Sequence, residues 1–222
     1  MSALFDDRRD AGRQLAAALG PAPAGRTVVY GLARGGVPVA AEVAAALGAS
    51  LDVLAVRKIG HPRHEELALG AVAPDGPPFV REPVGIDRRA LPALRARIEA
   101  ADTEARALDA RLHEGLPRLS PRGAICVLVD DGLATGATMV AACRWARAQG
   151  AARVVAAVPV GAAESVETLR AEADEVVCPF AVQDFWAVSL WYRDFGQTSE
   201  DEVRLLVRAS RDAAASGGAD AP

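Results

Sequence analysis

The chain has 222 residues, 51% of them hydrophobic, enough to fill the core of one sizeable α/β domain or of one with an appended subdomain. Its formal net charge of −4 implies no general affinity for polyanions, so any phosphate site has to be local and no clear nucleic-acid surface is expected. No apolar run reaches the roughly 18 residues of a membrane span, and the first ten residues are too charged for a secretory signal, so a cytoplasmic protein is expected. Cys126, Cys143 and Cys178 are odd in number, far apart and in apolar contexts, which fits buried free thiols. Of the 25 basic residues, 24 are arginines and one is Lys58. In so arginine-biased a chain, a retained lysine either marks a need for a compact point charge, as a phosphate ligand does, or is an accidental survivor.

Phe5, Ala11, Leu15, Ala18 and Leu19 recur at helical spacing and predict a helix that Gly20-Pro21 stops. Residues 27–32 predict a buried strand, Ala33-Arg34-Gly35-Gly36 a tight loop, 37–47 an alanine-rich helix ended by Gly48, and 51–56 a second strand. That order is a βαβ unit with a right-handed crossover. Arg57-Lys58 follows the second strand. Residues 60–66 read as an irregular, lid-like loop, followed by a β run over 67–73 that can pair with Phe79-Val80. His61 and His64 have H-x-x-H spacing but no third ligand nearby, which argues against a metal. Glu65 and Glu66 are either proton carriers or solvated surface acids. Residues 87–114 carry Leu91, Leu94, Ile98, Ala101, Ala105, Leu108 and Leu112 along one side of a long helix.

Residues 126–138 are the most informative stretch. An apolar strand ends in Asp130 and Asp131, and a loop of small residues, Ala134, Thr135, Gly136, Ala137 and Thr138, leads into a helix. Two carboxylates at a strand end can accept hydrogen bonds from vicinal hydroxyls or hold a hard divalent cation. The small-residue loop can wrap its N–H groups around an oxyanion, aided by the positive end of the helix dipole. A diol reader beside a phosphate cradle describes a ribose 5-phosphate site. A helix over 138–149, a strand over 153–158, a helix over 162–172 and a strand over 175–178 complete the pattern. Alternating strands and helices mean a parallel sheet covered on both faces, with its crevice at the strands' carboxyl ends, where both loops sit. Residues 211–222 read as a disordered tail.

Segment 126–138 resembles the 5-phosphoribosyl 1-pyrophosphate (PRPP) motif of type I phosphoribosyltransferases; it is not a Walker loop, since no lysine lies in it. Residues 30–36 resemble the pyrophosphate loop of xanthine- and adenine-type enzymes, whose backbone amides face pyrophosphate, often around a non-proline cis peptide. Val56-Arg57-Lys58 resembles the Arg-Lys step of adenine-type enzymes, ahead of a mobile catalytic loop, although Arg57 equally suits a salt bridge within the fold. Residues 185–195 are similar to a group of uncharacterised bacterial phosphoribosyltransferases, with Ser189 where glycine is expected.

The resemblance covers about residues 5–208 and implies a twisted, mainly parallel α/β sheet with helices on both faces. It implies a single domain over 1–210, with a lid at about 59–76, a helical insertion at about 87–115 and a hood at about 179–198. By the same resemblance, Lys58, Asp130 and Asp131 are catalytic, and Arg34, Gly35, Gly36, Ala134, Thr135, Gly136, Ala137 and Thr138 bind PRPP. Mg²⁺ would sit by Asp130 and Asp131 through water. Trp186 and Trp191 are either a wall for the acceptor or part of a satellite hydrophobic cluster. Ala134 stands where 6-oxopurine enzymes carry a third acid, so proton handling by that acid is unsupported. The implied reaction transfers ribose 5-phosphate from PRPP to a nitrogenous base or related small acceptor and releases pyrophosphate, in a protein that a homodimer would also suit. The rivals are a PRPP-sensing regulator or RNA-binding protein on the same fold, and a metal-dependent sugar-phosphate hydrolase that would need a nucleophile or base the motif does not supply.

Overall fold

The structure, a computed structural model, describes residues 3–61, 64–81 and 91–217, with side chains left aside at 61, 64–68 and 214–217. Helix α1 (Arg8–Leu19) is capped by Asp7, whose carboxylate accepts the Asp10 N–H at 2.8 Å. Strand β1 (Thr27–Leu32) is followed by α2 (Gly36–Leu47) and β2 (Ser50–Leu54). Strands β3 (Arg57–His61), β4 (His64–Val72) and β5 (Phe79–Val80) form an antiparallel sheet of their own. Helix α3 (Leu91–Leu112), β6 (Ile125–Val129), α4 (Ala137–Ala148) and β7 (Arg153–Ala157) come next. The chain finishes with β8 (Val160–Ala162), α5 (Ala163–Leu169), β9 (Glu175–Val177), β10 (Phe180–Val182), a 3-10 turn (Val188–Trp191) and α6 (Glu200–Gly217).

The main sheet is parallel throughout, in the order β2-β1-β6-β7-β9. Its strands are buried on both faces, as a parallel sheet requires. Val28 and Tyr30 of β1 and Cys126 and Leu128 of β6 pack with α4, while Val29, Val127 and Val129 pack with α1, α2 and α6. Each such fully buried aliphatic side chain contributes about 1.5–3 kcal/mol relative to exposure. Because β1 and β6 are neighbours, the loops that leave their carboxyl ends emerge side by side. No helix among the described residues is long and apolar enough to cross a membrane.

Two expectations need correction. The region read as an irregular loop from residue 60 is a hairpin, with Lys58 opposite Ala71 and Ile59 opposite Gly70, and register shifts around Gly60. Ile59, Leu69 and Val72 bury one face of it against Leu94 and Ala101 of α3, contacts that the polar His-Pro-Arg-His run conceals. The supposed tail is helical as far as Gly217. Val203 and Val207 of that helix are fully buried, Glu200, Asp201 and Glu202 complement its dipole, and Arg211 Nη2 donates to the buried Asp52 Oδ1 at 2.7 Å. Residues 218–222 lie outside the described residues.

Candidate active site

Asp130 and Asp131 leave the end of β6 beneath the loop between β1 and α2, and backbone contact there is tight. A Cβ on Gly36 would lie 2.6 Å from the Val129 carbonyl oxygen, and one on Gly35 would lie 2.2 Å from Asp131 Oδ2. Only glycine allows this loop to rest on the diacid. The Ala33–Arg34 peptide in the same loop is cis. The Asp131 N–H donates to Asp130 Oδ1 at 2.9 Å, Arg8 Nε donates to Asp131 Oδ2 at 2.9 Å, and the Tyr192 hydroxyl donates to the Asp131 carbonyl at 2.5 Å.

Burial pushes the Asp130 carboxyl well above the usual carboxylate range, and the adjacent Asp131 charge adds to the push, against the opposing pull of Lys58 and Arg8. Burial also raises Asp131, with Arg8 as the main counterweight.

The small-residue loop over 134–138 leads into α4. Gly136 caps α4 at φ 78°, a left-handed conformation. Ser165 Oγ donates to the Ala134 carbonyl at 2.7 Å and the Arg81 guanidinium donates to the Thr135 carbonyl, so the loop's oxygens are held from outside. Among the described residues no backbone carbonyl takes the N–H groups of 134–138. Unpaired amides at a helix start favour an anion.

A cavity of about 480 Å³ opens between these parts. Ala33, Val56, Arg57, Lys58, Asp130, Asp131, Ala134, Thr135, Gly136, Thr138 and Val188 are among its lining residues. The fold thus brings the only lysine, 72 positions before Asp130 (130 minus 58), to the same cavity as the diacid. Arg57, ambiguous from sequence, also lines it, with its Nε buried and without a hydrogen-bond partner among the described residues. Arg34, Gly35, Gly36 and Ala137 stand outside the lining: Arg34 is exposed, the two glycines pack against the diacid, and Ala137 is buried.

Trp186 and Trp191 are not brought to the cavity. Trp186 is 81% exposed, and Trp191 is buried in a cluster with Phe5, Val160 and Tyr192. Sequence reasoning missed Arg8, Tyr192 and Val188. The side chains of His61, His64, Glu65 and Glu66 lie outside the described residues; among the rest, no cluster of three or more His, Cys, Asp or Glu residues is arranged to hold a metal.

Residues 5–193 match the family model described as a phosphoribosyl transferase domain. The chain belongs to the phosphoribosyltransferase family. Two Mycobacterium tuberculosis proteins, MT0597 of strain CDC 1551 / Oshkosh and Rv0571c of strain ATCC 25618 / H37Rv, are each 49% identical over 223 residues, covering 98% of this chain and 50% of the relative. Their names are family assignments to the phosphoribosyl transferases rather than measured activities. The chain spans about half the length of these relatives. The crystal structure of TT1426 from Thermus thermophilus superposes with a TM-score of 0.76 at 42% identity, over 93% of this chain and 98% of that one.

Proposed function

We propose that this protein transfers ribose 5-phosphate from PRPP to a small nitrogenous acceptor and releases pyrophosphate. The observation that carries the reading is the shared cavity, in which the diacid, the small-residue loop of open amides and Lys58 face one space of about 480 Å³. The reading extends to residues 1–210 as one domain, with 179–198 as its hood. The N–H groups of 134–138 bind the 5-phosphate. Asp130 and Asp131 accept hydrogen bonds from the ribose hydroxyls. One oxygen of each is committed within the protein, and each has a second to offer.

The C1–O bond to pyrophosphate breaks as the acceptor nitrogen forms its bond to C1, and the acceptor loses a proton. The anomeric carbon passes through an oxocarbenium-like state, as in glycoside hydrolysis. Lys58, with Arg57 beside it, faces charge growing on the departing pyrophosphate, and Arg34 adds charge at the rim. The loop from Ala33 to Gly36 offers backbone to the same group.

The donor set suits Mg²⁺: hard carboxylate oxygens at a site open enough to leave the ion several waters. Held by Asp130 and Asp131 through water, the ion would neutralise pyrophosphate charge. Positioning and charge neutralisation then account for most of the catalysis.

The test is PRPP with Mg²⁺ against a panel of purines, pyrimidines and small amines, scored by pyrophosphate release. Release dependent on one acceptor class supports the transferase. Saturable PRPP binding without release from any acceptor favours a PRPP sensor instead.

A further inference from the structure

Helix α1 reaches the diacid through Arg8, a residue outside both the PRPP motif and the cavity lining. The Arg8 guanidinium holds two acceptors at once: Asp131 Oδ2 from Nε at 2.9 Å and the Gly196 carbonyl from Nη1 at 2.6 Å. Its carbon lies 3.9 Å from the centre of the Phe195 ring. The side chains of Arg8 and Asp131 are only 12% and 14% exposed, so solvent and salt screen the pair little. A Cβ on Gly35 would lie 3.2 Å from Arg8 Nη2 as well as 2.2 Å from Asp131 Oδ2, so the ion pair rests against the loop between β1 and α2. Three segments remote in sequence therefore meet at one planar cation.

We propose that Arg8 is a positioning residue for the PRPP site, acting through Asp131 to fix the carboxylate that faces the sugar. The inference rests on the PRPP reading above. A carboxylate beside another carboxylate and under a loop backbone has several orientations of similar energy. A fork that takes one of its oxygens, while anchored to a carbonyl and an aromatic face, leaves it one orientation. Lysine has no planar fork with which to hold both acceptors and stack on the ring. The Tyr192 hydroxyl, bonded to the Asp131 carbonyl, fixes the backbone of the same residue. The position of Asp131 is thus set from both ends of the described chain.

A double-mutant cycle distinguishes this role from general support of the fold. Calorimetric titration with PRPP and Mg²⁺ is carried out on wild type, Arg8→Met, Asp131→Asn and the double variant. Arg8→Met should weaken PRPP about tenfold in the native background and less than about twofold in the Asp131→Asn background, because the effect passes through the missing carboxylate. Arg8→Lys should recover only part of the loss. An equal loss in both backgrounds, or no loss in the native one, overturns the proposal. If Arg8→Met does not fold, the same cycle built on Arg8→Lys decides by the same criterion. A wild-type protein that does not bind PRPP overturns the functional reading itself, and this proposal with it, before any variant is compared.

Discussion

Gly35 lies so close to Asp131 that a Cβ there would stand 2.2 Å from the carboxylate Oδ2. No side chain fits at that distance, so Gly35→Ala must displace either the loop or the Arg8–Asp131 pair. The substitution should weaken PRPP binding by at least about tenfold, 1.4 kcal/mol, while far-ultraviolet circular dichroism stays native. Unchanged affinity would mean that the loop moves freely away from the diacid.

Asp130 sets function against stability. Its folded-state pKa lies above the unfolded one, so between the two values the native state holds more protons, and stability falls as pH rises through that window. Above the window the full penalty is present. Asp130→Asn removes it. The ligand-free variant should melt at a higher temperature than wild type at pH 7, yet lose the stabilisation expected in wild type from PRPP with Mg²⁺. Paired thermal melts, with and without ligand, read both effects.

Lys58 is tested by charge and by shape. If it meets the departing pyrophosphate, its benefit grows as the leaving group gains charge. Lys58→Ala should lower kcat by about 100-fold, and Lys58→Arg by less, with ribose 5-phosphate affinity nearly unchanged in both. A wild-type kcat in Lys58→Ala, measured with the acceptor found by screening, would leave this lysine as a relic of composition.

A second buried charge cluster governs alkaline stability. Burial disfavours a charged His113, but its hydrogen bonds to Asp109 and Asp52 outweigh burial and push its pKa up to about 9. The folded pKa exceeds the unfolded 6.5, so the protonated ring stabilises the fold fully below 6.5, and that contribution is lost as pH rises to about 9. Melting temperature against pH should therefore fall across this interval in wild type and fall less in His113→Gln.

The parts of the site that sequence conveys are contiguous. A strand, two acids, a run of small residues and a helix within 126–138 sit together because the chain places them together. The loop from Ala33 to Gly36 is legible for the same reason, and the parallel alternation of β1 and β6 puts the two side by side. Arg8 is not legible. Within the charged run Asp6-Asp7-Arg8-Arg9-Asp10, only packing separates Arg8, with a side chain 12% exposed, from Arg9 at 58%. The β3 strand and the helical end of α6 were obscured similarly, since the polar His61-Pro62-Arg63-His64 run and the small residues after Ser210 hide them, and their packing partners, α3 and β2, lie elsewhere in the sequence. Trp191 takes one of the two readings open to it. An aromatic-rich segment suits a base platform or a satellite cluster, and Trp191 fills a small core with Phe5, while the cavity takes Val188 of the same segment.

The bond from Arg8 to Asp131 spans 123 positions, and the one from Arg8 to the Gly196 carbonyl spans 188. During synthesis, the motif at 126–138 is complete long before the residues that brace it. A nascent chain that has reached residue 150 already has the strand, the acids and the phosphate loop, but not the aromatic and carbonyl partners that anchor Arg8. Loop closure over such lengths adds little entropy per residue, yet non-local contacts of this kind form slowly. On the proposed reading, competence to bind PRPP should therefore emerge late and abruptly, when the first helix and the segment around Phe195 finally meet.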